Sequence, residues 1–98
     1  MNFDDLTINI IKALGHPVRY KIIKFLYESP KCVCKLNEEF QFSQANLSQH
    51  LRILKDASVL KSEKVGVETH YSLYSEEIKN IINAVENYVG IVIENAKR

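Results

Sequence analysis

Residues 43–56 read SQANLSQHLRILKD, and the spacing within this stretch decides the fold. Leu47, Leu51 and Leu54 recur at i, i+4 and i+7, so one side of a helix packs into a core. The other side carries Gln44, Ser48, Gln49, Arg52 and Lys55, side chains of the kind that can contact phosphates and base edges. Ser43 is the expected N-cap.

Upstream, Val33, Leu36 and Phe40 mark a short helix at i, i+3 and i+7, and Gln41 and Phe42 make the turn into the next. Two helices joined by about three residues, the second polar on its outer face, form a helix-turn-helix pattern over residues 33–56. Further upstream, residues 3–14 place Leu6, Ile10, Ala13 and Leu14 on one side and stop at Gly15. Pro17 then suits the first turn of a second helix with Val18, Ile22 and Leu26 inward, ended by Ser29-Pro30. Beyond Asp56 the period changes to two. Residues 59–74 hold two β-prone runs joined near Val65-Gly66-Val67, a hairpin or wing.

Residues 76–97 are expected to form a long helix, with Ile78, Ile82, Val85, Val89, Val92 and Ala96 spaced 4-3-4-3-4. Ile81, Tyr88 and Ile93 broaden this stripe beyond what so small a domain can cover, so a second copy of the chain is the expected cover. Leu6 and Ile10 join the expected interface. Gly90 weakens the helix by about 1 kcal/mol relative to Ala and fits a close approach of two backbones. The whole is read as one mainly α domain, a winged helix-turn-helix, dimerising through residues 3–14 and 76–97.

The 98 residues carry a formal net charge of +1, so DNA binding has to come from local clustering of Lys and Arg, doubled by dimer symmetry. The acidic start and the lack of a long apolar run argue against a signal peptide or membrane span, and a cytoplasmic location is expected. The chain has two cysteines, Cys32 and Cys34. Such close spacing makes a poor structural staple and points to metal or redox chemistry.

ALGHPVRYKIIKFL, then CVCKL, then SQANLSQHLRILKDASVLKSEKVGVETHYSL, resemble in order the ArsR/SmtB family of winged-helix repressors over about residues 12–74. The resemblance implies a homodimer on an operator duplex, released by an inducer that is usually a metal or metalloid ion. It places Ser43, Gln44, Asn46, Ser48, Gln49 and His50 toward the major groove, with Arg52 and Lys55 further along. Lys61 and Lys64 of the wing would meet the DNA backbone. Val67 stands where the family often has Arg, with Glu63 and Glu68 nearby.

Cys32 and Cys34 match the motif of the arsenic-, antimony-, lead- or cadmium-responsive branch, whose thiolates bind the inducer at the start of the third helix. Soft thiolates select thiophilic ions such as trivalent arsenic or antimony, or a soft divalent metal. No catalytic cofactor is implied. Residues i and i+2 of a helix point to roughly opposite sides, so binding both thiolates to one ion is expected to unwind the first turn of that helix. Asn37 stands where a third cysteine often occurs, and residues 1–31 contain none. Redox or persulfide sensing through a labile disulfide, and cysteines with no sensing role, stay open beside metal binding. The family's zinc site on the last helix is not expected, since residues 76–98 hold no histidine. Capping or packing accounts for His16 and His70.

An enzyme is the rival class. No CxxC beside a sheet, Ser-His-acid set, paired catalytic carboxylates or glycine-rich phosphate loop is present. A winged helix used only for protein contact would leave its reading face without net positive charge, which Arg52, Lys55, Lys61 and Lys64 argue against.

Overall fold

A computed structural model of the chain describes residues 1–41 and 44–97. Among them, helices and strands follow as α1 (Phe3–Leu14), α2 (Pro17–Phe25), β1 (Lys31–Cys32), α3 (Val33–Phe40), α4 (Gln44–Asp56), β2 (Leu60–Val65), β3 (Glu68–Leu73) and α5 (Glu77–Ala96). The helix ends have local causes. Asn2 Oδ1 accepts the Asp5 N–H at 2.8 Å and opens α1, with Asp4 and Asp5 at the positive end of the helix dipole. The Gly15 N–H closes it by donating to the Ile11 and Lys12 carbonyls. His16 Nδ1 accepts the Val18 N–H at 3.1 Å ahead of Pro17, so this histidine is a cap, as expected.

One core lies between the helices and the sheet. Ile22 and Ile23 of α2 and Leu26, its C-cap, meet Leu36 of α3, Leu47, Leu51 and Leu54 of α4, and Val59, Leu60 and Leu73 of the wing. The leucine spacing of α4 is therefore the spacing of buried residues, which orients its remaining faces. The turn into α4 begins with Gln41 in the left-handed region (φ 50°). Phe42 and Ser43, the rest of the expected turn and its N-cap, lie outside the described residues.

The wing is the antiparallel pair β2–β3, in register from Leu60↔Leu73 to Val65↔Glu68. Its two-residue loop is Gly66-Val67, where glycine alone takes a positive φ (65°), the arrangement of a type II′ hairpin turn. A feature not expected from the sequence is β1, which pairs with the other edge of β3 through Lys31↔Tyr71 and Cys32↔His70. Cys32 is therefore extended (φ −72°, ψ 160°) and serves as the N-cap of α3 rather than as part of the helix.

The helix α5 also departs from expectation. Ile78 and Ile82, expected at a dimer interface, are buried in the protomer's own core, because the first half of α5 packs back on the domain. Val85, Val89 and Val92 in its second half are exposed, as is Leu6 on α1, and Ile10 is half-buried.

Candidate nucleic-acid interface and thiol site

The burial of Leu47, Leu51 and Leu54 turns Asn46, Ser48, Gln49, Arg52 and Lys55 outward, and all five are exposed. Gln44 opens the helix. Arg52 Nε lies 3.8 Å from Asp56 Oδ2, with both side chains more than two-thirds exposed. So loose a surface pair contributes little and leaves the guanidinium available to a phosphate.

His50 departs from the expected DNA-facing set. It sits at i+3 from Leu47 and i−4 from Leu54, on the shoulder of the buried face. Its ring centroid is 4.7 Å from that of His16, and its Nδ1 lies 3.3 Å from Arg19 Nη1. Burial, then His16 and Arg19, hold its pKa below the ordinary value. Arg19 carries only donors, so Nδ1 is the acceptor in this contact. The same Arg19 donates from Nε to the Ala13 carbonyl at 2.8 Å and from Nη2 to the Lys12 carbonyl at 3.2 Å. His50 thus belongs to a polar joint among α1, α2 and α4.

The two wing lysines part company. Alternation along β2 sends Lys61 and Lys64 to opposite faces of the hairpin. Lys61 lies at the base, beside residues 27–30 and Glu76. Lys64, opposite Thr69, lies next to the tip.

The thiol site forms where β1 runs into α3. Cys32 is buried and Cys34 exposed, and their sulfurs are joined in a disulfide. The expectation that these side chains point apart fails for a physical reason: Cys32 is not helical, and its extended backbone brings the two sulfurs together. Cys32 Sγ accepts the Lys35 N–H at 3.3 Å, capping α3. A third group, unnoticed in the sequence, stands beside them. Glu68 Oε2, at the start of β3, is 3.5 Å from Cys34 Sγ. The only signal that could have located it is the strand register, which an isolated two-residue strand does not announce. His70 Nε2, buried and without a hydrogen-bond partner, lies 3.6 Å from Glu68 Oε1. His70 therefore packs rather than caps.

Between α2 and α5, Glu86 accepts from the Tyr20 hydroxyl and from Lys24 Nζ, the latter at 2.9 Å. These bonds, led by that from Tyr20, lower the Glu86 pKa and raise those of both donors. Below this link an apolar groove of about 290 Å³ runs between α1 and α5, lined by Ile11, Leu14, Ile81, Ile82 and Val85. Among the described residues, no helix is long and apolar enough to cross a membrane.

The model of the bacterial regulatory proteins of the arsR family matches residues 16–62. The uncharacterised HTH-type transcriptional regulator MJ1325 of Methanocaldococcus jannaschii is 40% identical over 78 residues, covering 79% of this chain and 88% of that protein. An arsenical resistance operon repressor of Staphylococcus xylosus is 37% identical over 103 positions, covering 99% of this chain and 96% of its own length. The crystal structure of M. tuberculosis Rv0081 superposes with a TM-score of 0.88 at 24% identity, covering 100% of this chain and 99% of that one. The solution structure of a homodimeric winged helix-turn-helix DNA-binding domain from Mycobacterium bovis does so with a TM-score of 0.83 at 19% identity, covering 93% and 84%. At these identities the two structures speak for the fold, which is the winged helix-turn-helix.

Proposed function

This chain belongs to the ArsR family of bacterial regulatory proteins, and from that premise we propose a homodimeric repressor that releases its operator when a thiophilic ion binds Cys32 and Cys34. The family is one of DNA-binding regulators, not enzymes. Asn46, Ser48, Gln49, Arg52 and Lys55 of α4 read the duplex, and Lys64 of the wing braces it. Exposed apolar side chains of α1 and the second half of α5 cover each other in the dimer.

The observation that carries the sensing half is the convergence of the two sulfurs at the start of α3. A pair that can close on each other can, when reduced, close on one ion, and two thiolates suit a thiophilic one. An arsenical resistance operon repressor among the relatives supports the same class of inducer. The route to the DNA runs through the helix cap. Cys32 Sγ satisfies the Lys35 N–H, and an ion that takes this sulfur withdraws the cap, which costs about 0.5–2 kcal/mol. Leu36 seats α3 in the core shared with Leu47 and Leu51 of α4, so a shift of α3 moves the reading helix. A coupling of about 1–3 kcal/mol lowers operator affinity roughly 5- to 150-fold.

The test is the double variant Cys32→Ser, Cys34→Ser. Serine still caps a helix, so operator affinity is retained while release by arsenite or cadmium is lost. Release that survives in the variant puts the sensor elsewhere. The disulfide favours a second reading, a redox switch at the same pair. There the two thiols give two electrons and two protons to an oxidant such as a peroxide as the S–S bond forms. Operator release by peroxide in metal-free buffer, reversed by dithiothreitol, distinguishes it.

A further inference from the structure

Glu68 completes the geometry of the thiol site from a distant part of the chain. It opens β3, opposite Val65 at the tip of the wing. Pairing of β1 with β3 sets Cys32 across from His70, and Glu68, two residues earlier, shares the His70 face. One carboxylate oxygen and the two sulfurs all lie within 4.8 Å of one another. The sequence separates these groups by 34 residues.

We propose that Glu68 is the third protein ligand of the inducer site, so that one ion is held by two sulfurs from the start of α3 and one oxygen from the wing. This rests on the reading of Cys32 and Cys34 as thiolate ligands. Charge argues for it. With both cysteines reduced and deprotonated, three anionic groups share this corner, and they repel unless a cation stands among them. Among the described residues no lysine or arginine lies within ion-pairing distance of Glu68, whose partner is His70 at 3.6 Å. That histidine nitrogen is buried and too far for a hydrogen bond, so a small turn of the carboxylate lets it act as the outer partner that orients a ligand.

The donor set also bears on selectivity. Asn37 supplies no third thiolate, and a mixed sulfur and oxygen set suits a borderline or soft divalent cation such as zinc or cadmium better than one that demands sulfur alone. Each cysteine releases its proton to solvent as it binds, and the disulfide must first be reduced by two electrons. An ion held in this way fastens the wing tip to the first turn of α3, so the wing becomes part of the sensor.

The experiment titrates cadmium into the full chain, reduced with a phosphine, reading the ultraviolet thiolate-to-cadmium absorption and the affinity against a chelator. Glu68 is exposed at the wing tip, so Glu68→Gln leaves the fold intact. It is expected to keep the thiolate absorption but bind at least about tenfold more weakly, since loss even of outer partners costs about 10–100-fold. Glu94→Gln, the same charge change near the far end of α5, binds like the parent chain. Glu68→Cys raises affinity for arsenite. If Glu68→Gln binds cadmium as tightly as the parent, Glu68 is no ligand, while the cysteine reading stands. If the parent chain itself gives no thiolate absorption with cadmium or arsenite, the cysteine reading fails and takes this proposal with it.

Discussion

On α4, the ring of His50 is held between His16 and Arg19, and its pKa lies below the ordinary 6.5 chiefly because it is buried. The folded chain therefore takes up this proton less readily than the unfolded one. The stability this residue lends is full above about pH 6.5 and is lost as pH falls from there through the lower folded value. Replacing His50 with Gln, which does not titrate, should flatten the decline in urea midpoint between about pH 7 and pH 5. An unchanged decline would mean that the ring titrates normally. Arg52 has the opposite role, exposed on the outer face of α4 beside a loose 3.8 Å partner. Arg52→Ala should weaken operator binding and lower the slope of log affinity against log salt by about one per protomer. The sequence carried enough to separate these two. His50 falls in the same i, i+3, i+4 pattern as the leucines, while Arg52 lies across the helix from them. What the sequence could not supply is the pair of neighbours beside His50, because His16 and Arg19 arrive from the start of another helix.

Helix α4 and the wing share one core, which Leu47, Leu51 and Leu54 enter from the helix and Val59, Leu60 and Leu73 from the wing. Leu51 is buried at the centre of the contact. Leu51→Ala should destabilise the chain by about 2–5 kcal/mol in denaturant melts, since the cavity it leaves cannot fully collapse. In the wing the two lysines face opposite ways, so Lys64→Ala should reduce operator affinity in an anisotropy titration and Lys61→Ala should leave it nearly unchanged. Equal losses would show that the hairpin lies flat on the duplex. Alternation alone made that difference readable from the sequence. The strand β1 was not readable: two residues show no period, and its partner lies 38 positions away in the register Cys32↔His70. The cysteine geometry turned on that pairing, and so did the place of Glu68.

For the molecule as a whole, the long apolar stripe of α5 divides near its middle. Ile78 and Ile82 are 5% and 4% exposed, whereas Val85, Val89 and Val92 are 57%, 48% and 48% exposed. Hydrophobic spacing is continuous across this boundary, so sequence alone does not tell where the protomer stops and a partner begins. Val89→Asp should yield folded monomers with weak operator binding in sedimentation and binding assays. Ile82→Asp should instead unfold the protomer, as an unpaired charge in the core would. A folded monomer from Ile82→Asp would reverse that division. Arg19 ties α1 to α4. Its guanidinium grips the last carbonyls of α1 and touches His50 on α4. Two-fold helix-turn-helix proteins must hold their reading helices one turn of DNA apart, about 34–36 Å. In a dimer built on α1, the Arg19 contacts act as the calliper screw between protomer spacing and groove spacing. Loosening that screw should make the chain tolerant of operators whose half-sites are a base pair too close or too far.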